Sequence, residues 1–169
     1  YADGFDLEVS MRPTSTAWQR QLIDMAVEMW AKVGVRAKVV LLGDDEFMDR
    51  RTSGSLACYT ASWAADYDDP DNFIYTFFGT KENSRSRSLC YADEEVIARV
   101  AGARSIMDED ARLAEYRDLE RRIVQEDAAW IPLFSRERHF LVSERLENFV
   151  TDWNGWYEVT FKRMSVLNP

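Results

Sequence analysis

Alternating apolar and polar residues open the chain and predict a half-buried β-strand over residues 5–11. The next segment, residues 16–33, has helical periodicity, and we expect its apolar stripe to face the core: Trp18, Leu22, Met25, Met29 and Val33. Gly34 fits the end of this helix, and residues 35–42 have the composition of a second strand. Together they form a βαβ unit, so the two strands should be parallel with a right-handed crossover.

The rest of the chain continues to alternate between helical and strand-like segments. Helices are predicted over residues 44–51, 70–78 and 92–106, and from an N-cap at Asp108 to about residue 126. A strand is predicted over residues 56–62, and strand candidates near the end of the chain cover residues 131–134, 140–142 and 159–164. These patterns predict an α/β fold in which helices flank a sheet.

The densest polar cluster lies between the strand at residues 56–62 and the helix after it. Residues 63–73 contain four carboxylates, one Asn and three aromatic rings. A strand that leads into an acidic, aromatic loop before a helix is a common ligand-binding position in α/β folds. Asp66 has small and aromatic neighbours and precedes the turn residues, so it is the candidate to bind a ligand. The later acids are expected to serve the turn and the start of the helix: Asp68, Asp69 and Asp71.

Composition and charge narrow the classes of partner. The chain has 169 residues, 46% of them hydrophobic, which suits one globular domain. Its net charge of -9 argues against nucleic acid or an anionic membrane as partner, because both require a basic patch. The sequence has no run of about 20 apolar residues and no signal peptide. Because it begins at Tyr1 rather than Met, we expect a processed or truncated protein.

The sequence lacks the motifs of the common enzyme and metal classes. Its one histidine, His139, has no nucleophile pattern beside it, and no Gly-x-Ser-x-Gly or Gly-rich phosphate loop occurs. A calcium loop starting at Asp66 fails, because Asp71 stands where Gly is needed. Cys58 and Cys90 lack zinc-site spacing but could form a disulfide. We therefore predict no catalytic residues, no metal and no cofactor. The alternative is an enzyme or enzyme-associated, carbohydrate-processing domain that uses the acids of residues 66–71.

The order of several short motifs resembles the C-terminal lobe of the peptide/nickel class of ABC-transporter solute-binding proteins, the oligopeptide- and dipeptide-binding family. The most specific match is Trp63-Ala-Ala-Asp66-Tyr67-x-Asp-Pro70-x-Asn72-Phe73. Weaker matches run through nearly the whole chain: Val33-Gly34-Val35, Tyr91, Asp110-x-Arg112 with Tyr116, Glu126-Asp127 and Ile131-Pro132-Leu133. Where some members have a Cys that forms a disulfide, this sequence has Ala64.

The resemblance implies a fold, a location and a ligand class. Members of the family are longer and close two lobes over a solute, so this chain should be one lobe with a mixed α/β sheet, in an extracytoplasmic protein. Residues 1–135 would form the ligand-binding lobe, and residues 136–169 a β-rich tail that returns toward the first lobe. In peptide-binding members, the Asp that matches Asp66 pairs with the peptide's α-amino group, and the residues that match Trp63 and Tyr67 line that region. The implied partners are a peptide or another amine-bearing solute and the membrane subunits of an ABC importer.

Overall fold

The computed structural model describes residues 3–135, 137, 139–150 and 163–167. Its first half alternates strands and helices: β1 (Phe5–Met11), α1 (Ala17–Ala31), β2 (Val35–Leu41), α2 (Asp44–Thr52) and β3 (Cys58–Tyr59). Four helices follow: α3 (Asp71–Phe78), α4 (Lys81–Arg85), α5 (Glu94–Ala103) and α6 (Glu109–Glu120). A π-helical segment, Arg121–Glu126, continues α6, and two short strands close the described part: β4 (Leu146–Glu147) and β5 (Ser165–Val166).

A parallel three-stranded sheet forms the first half, with strand order β2-β1-β3. The β1 and β2 strands pair from Phe5 with Val35 to Met11 with Leu41, as the predicted βαβ unit requires. The central strand, β1, ends in the buried residues Val9 and Met11 and pairs there with β3. The α/β prediction is therefore confirmed. The strand predicted over residues 56–62 shortens to two residues, so most of the chain that leads to the acidic loop has no strand partner.

Two glycines set the start of this sheet. Gly4 and Gly34 both have positive φ, at 69° and 88°, which favours glycine over any residue with a Cβ. A Cβ placed on Gly4 would lie 1.9 Å from the carbonyl oxygen of Gly34. That same oxygen accepts a hydrogen bond from the Phe5 amide, at 3.2 Å. The close approach thus fixes where β1 begins to pair with β2.

The buried face of α1 differs from the predicted one. Ile23 is buried against the sheet with Val27 and Trp30 partly buried beside it, while the stripe expected in the core is exposed except for the half-buried Leu22. In that stripe, Met25, Met29 and Val33 are 61%, 63% and 77% exposed. The prediction was wrong because α1 carries apolar residues on two adjacent faces, and a sheet on one side can cover only one of them.

A second core lies among α3, α5, α6 and the π-helical segment. Its most buried side chains are Phe78, Val100, Leu119 and Ile123. The predicted N-cap Asp108 is confirmed, since its carboxylate accepts a hydrogen bond from the Ala111 amide at 2.8 Å. This core anchors α3, the helix that begins where the acidic loop ends.

The end of the chain carries less regular structure than the pattern suggests. Residues 131–134 and 140–142 are not strands, and the antiparallel pair β4–β5 has only two residues in each strand. Strand formation needs a partner along the whole segment, and within the described residues none lies beside these two. Of the third candidate, residues 159–162 lie outside the described residues. The division at residue 135 into a lobe and a tail stays a prediction.

Candidate functional site

The loop between β3 and α3 carries the three predicted site residues and is held by side chains of the first turn of α3. Asn72, only 2% exposed, is its main anchor. The Asn72 side-chain oxygen accepts hydrogen bonds from the Trp63 indole N–H at 2.7 Å and from the Asp66 amide at 3.1 Å. Its Nδ2 donates to the Asp66 carboxylate at 3.2 Å. One buried amide therefore positions two of the three candidate residues.

Asp71 is the second anchor, and it is 7% exposed. Its carboxylate accepts hydrogen bonds from the hydroxyls of Tyr67, at 2.6 Å, and Tyr116, at 2.9 Å. Arg104 completes its surroundings with an ion pair at 3.1 Å. The Tyr67 hydrogen bond to this carboxylate, followed by burial, raises the pKa of the Tyr67 phenol, so the ring stays a neutral hydrogen-bond donor.

Asp69 ties the loop to its own turn and to α6. Its Oδ1 accepts from the Asp71 amide at 2.9 Å, which is the turn chemistry expected of it. Its Oδ2 forms an ion pair with Arg112 at 2.5 Å. Asp71 also lies at the start of the helix, as expected, although it is not the N-cap residue. It lies inside the first turn with its carboxylate in the core, because its position shares a face with the buried residues Ile74 and Phe78.

All three predicted site residues are partly exposed on this fixed loop, although the Trp63 N–H and the Tyr67 hydroxyl are hydrogen-bonded to buried side chains. Asp66 is exposed, and Trp63 and Tyr67 are 38% and 45% exposed. The inner side of the Trp63 ring packs edge-on against Phe77, with centroids 5.3 Å apart. The loop thus offers one carboxylate flanked by two partly exposed aromatic rings, an arrangement suited to a cationic group with apolar neighbours.

A shallow surface depression of about 290 Å³ opens on the outer side of the same loop and of α3. Its lining is Ala65, Tyr67, Asp68, Asp69, Pro70 and Phe73. Tyr67 is the one predicted site residue in this lining, so the structure places Trp63 and Asp66 beside the depression rather than inside it. The depression alone therefore does not define a ligand site.

Sequence reasoning gave no functional role to the residues that hold the loop, Asn72 and Asp71. A signal for Asp71 was present, because spacings of three and seven from Ile74 and Phe78 place it on the buried face of α3. The signal for Asn72 was weaker. The indole N–H of a half-buried Trp needs an acceptor, and Asn72 offers one nine residues later.

Within the described residues, no group of three or more His, Cys, Asp or Glu side chains could hold a metal ion. Both cysteines are free thiols, so the structure contains no disulfide between Cys58 and Cys90. Among the same residues, no helix is both long enough and apolar enough to cross a bilayer.

Curated relatives of the chain are binding proteins. It is 24% identical to heme-binding protein A of Haemophilus influenzae over 92% of its length, and 27% identical to the dipeptide-binding protein of Escherichia coli over 96%. It covers only 29% and 31% of those two proteins, so it spans about a third of their length.

Solved structures show the same likeness. HbpA2 from Haemophilus parasuis matches 99% of the chain with a TM-score of 0.75 and 26% identity, and the chain covers 33% of it. A periplasmic binding protein from Helicobacter pylori, solved with the peptide STSA, matches 79% with a TM-score of 0.67 and 25% identity, and the chain covers 26% of it. The sequence profile described as "Bacterial extracellular solute-binding proteins, family 5 Middle" matches residues 1–85, half of the chain. The chain therefore belongs to the family 5 bacterial extracellular solute-binding proteins.

Proposed function

We propose that this chain is one lobe of the solute receptor of an ABC importer, and that the receptor binds a peptide or another solute with a primary amine. The single observation that carries the proposal is the fixed, exposed carboxylate of Asp66 beside Trp63, both positioned by Asn72. A carboxylate held in this way can accept charge-assisted hydrogen bonds from an ammonium group. Among the relatives, the Escherichia coli protein is named for dipeptides and the Helicobacter pylori structure holds a peptide, which supports this ligand class.

Location and partners follow from the same proposal. Family members are extracellular solute-binding proteins, so we place the receptor outside the cytoplasmic membrane, where it delivers its ligand to the membrane subunits of the importer. The family is defined by solute binding rather than catalysis. The matched relatives give no support to the alternative of an enzyme or a carbohydrate-processing domain that uses the acidic loop.

One lobe alone should bind the ligand weakly. Asp66 is exposed to solvent in this chain, and an exposed ion pair contributes only about 0–1 kcal/mol. Enclosure by a second lobe would remove water from the pair and strengthen it. The full-length receptor is therefore the correct material for binding experiments.

The test is calorimetric titration of the full-length receptor with a tripeptide, in the wild type and in Asp66→Asn. The substitution keeps the shape of the side chain but removes its charge, and it should weaken binding by about 1.5–3 kcal/mol. Asp68→Asn is the matched control, because it neutralises an exposed acid two residues away. Within the described part of the chain, the Asp68 side chain forms no hydrogen bond. Equal affinity in the wild type and Asp66→Asn would refute the role of Asp66, and absence of peptide binding by the wild type would refute the ligand class.

A further inference from the structure

Three aromatic rings form a continuous row from the candidate site into the second core. The Trp63 ring packs against Phe77 with centroids 5.3 Å apart, and Phe77 packs against Trp130 at 4.9 Å. The interplanar angles are 83° and 62°, so both pairs have the edge-to-face geometry in which aromatic rings attract each other. Exposure falls from 38% at Trp63 to 5% at Phe77, and Trp130 is half-buried. The aromatic row of Trp63, Phe77 and Trp130 therefore meets solvent at the binding loop and ends inside the lobe.

Trp130 contacts two consecutive rings of α3. Besides Phe77, it packs edge-on against the fully buried Phe78, with centroids 5.0 Å apart and an interplanar angle of 85°. Both rings belong to the last turn of α3, the helix whose first turn holds the binding loop. The position of the Phe77 ring, and with it the support behind Trp63, depends on where Trp130 lies.

Trp130 comes shortly after the π-helical segment, and the backbone between them is tightly held. The Ala129 amide donates to the Ile123 carbonyl at 2.9 Å. Ala128 has a φ of 49°, a left-handed conformation that is unfavourable for a residue with a Cβ. Such a conformation persists only where its surroundings fix the backbone. This connection therefore holds Trp130 in one position against α3.

Ion pairs between residues five apart favour the π-helical register. Arg121 pairs with Glu126, and the Arg122 Nε donates to the Asp127 carboxylate at 3.0 Å. The Asp127 amide also bonds to the carbonyl five residues earlier, at 2.9 Å. In an α-helix, residues five apart point about 140° away from each other, so these contacts need the wider turn of a π-helix. An α-helical register would rotate the residues that follow by about 100° and take Trp130 out of its contact with α3.

We propose that Trp130 is a positioning residue for ligand binding, which acts through Phe77 to fix the orientation of the Trp63 ring. This inference rests on the proposed function and goes beyond it, because it gives a binding role to a residue outside the ligand loop. Asn72 holds the N–H edge of Trp63 at 2.7 Å, but one hydrogen bond does not fix the plane of a ring. The aromatic row supplies a second support, so that Trp63 stands as a preformed apolar wall beside Asp66 and loses little freedom when the ligand binds.

The first test needs no ligand and uses fluorine NMR of the full-length receptor labelled with 5-fluorotryptophan. It compares Trp130→Phe with Trp130→Met, two substitutions of similar volume. Phe keeps a ring against Phe77, whereas Met fills the space with a flexible chain. The Trp63 resonance is the one that disappears in Trp63→Leu. It should keep its position and width in Trp130→Phe and should shift or broaden in Trp130→Met. An unchanged Trp63 resonance in Trp130→Met would overturn the proposal.

Calorimetric titration with trialanine tests the effect on binding. Trp130→Met should lower the affinity by about 2- to 12-fold, the range expected for one aromatic pair, and Trp130→Phe by less than about twofold. In a receptor that already carries Trp63→Leu, Trp130→Met should cause no further loss of affinity, because no ring is left for it to orient. Equal losses in the presence and absence of Trp63 would show that Trp130 supports the fold in general, and the positioning role would be wrong.

Trp30→Met is the matched control. Trp30 is half-buried like Trp130, but it packs in the core between α1 and the sheet, beside Ile23. Both Met substitutions should lower the melting temperature, whereas only Trp130→Met should alter the Trp63 resonance and the affinity. If the wild type binds trialanine and Trp130→Met binds it equally well, the positioning role fails and the proposed function stands. If the wild type binds no trialanine, the proposed function fails, and the fluorine spectra still support or overturn the dependence of Trp63 on Trp130.

Discussion

Asn72 can be tested as the residue that positions the binding carboxylate. Asn72→Ala removes the acceptor for the Trp63 indole and the Asp66 amide, together with the donor to the Asp66 carboxylate. The substitution leaves Asp66 charged and in place in the sequence. Asn72→Ala should therefore test the orientation of the Asp66 carboxylate without removing the carboxylate itself.

The expected effect on affinity is smaller than that of removing the charge. Without Asn72, the Asp66 side chain must be immobilised when the ligand binds, which costs about 0.5–1.5 kcal/mol, or about a 2- to 12-fold loss of affinity. Asp66→Asn should cost about 1.5–3 kcal/mol. The lost hydrogen bonds should also lower the free energy of unfolding by about 1–3 kcal/mol, since water can reach the partly exposed Trp63 and replace some of them.

A double-mutant cycle in the full-length receptor, measured by calorimetry with trialanine, tests this reasoning. Because Asn72 acts through Asp66, Asn72→Ala should cost little further affinity once Asp66 is Asn. Gln19→Ala is the control for loss of a side-chain amide. Among the described residues, the Gln19 side chain bonds only to Thr16 at the start of α1, so its loss should not affect affinity. Additive losses from the two substitutions, or unchanged affinity in Asn72→Ala, would refute the positioning role.

Two tyrosine substitutions test the surrounding polar contacts by urea unfolding of the full-length protein. Tyr116→Phe removes a buried hydrogen bond to Asp71 and should lower the free energy of unfolding by about 1.5–3 kcal/mol, so a change within experimental error would contradict the network. Tyr91→Phe removes the main cause of the lowered pKa of Asp127, ahead of Arg122. A carboxyl with a lowered pKa stabilises the fold above its unfolded-state pKa of about 3.9, and this effect is lost as the pH falls through its folded pKa. Tyr91→Phe should therefore lower the free energy of unfolding near pH 7, and its stability should converge with that of the wild type in acid. An equal difference in the free energy of unfolding between the variant and the wild type near pH 7 and in acid would show that Asp127 is not involved.

The sequence predicts local elements well because their signals are local. The β1 alternation, the Asp108 cap and the βαβ order depend on neighbouring residues, and each appears in the structure. The predicted C-cap at Gly34 was wrong, because α1 ends at Ala31 with Lys32 as its cap. The buried side of α1 depends on where the sheet lies, and two apolar faces on one helix gave no basis for a choice. The roles of Asn72 and Asp71 were missed for a similar reason, because their partners include residues 9 and 45 positions away.

The position of the loop that carries Asp66 depends on the distant close contact between Gly4 and Gly34. Since a Cβ at Gly4 would collide with the Gly34 carbonyl, any substitution there forces β1 to shift against β2. The far end of β1 pairs with β3 through Val9 and Ser10, and β3 leads directly into the loop that carries Asp66. A change at Gly4 would therefore reach the ligand loop through strand alignment. In natural variants of this receptor, altered affinity without any substitution in the loop should be sought at these two glycines.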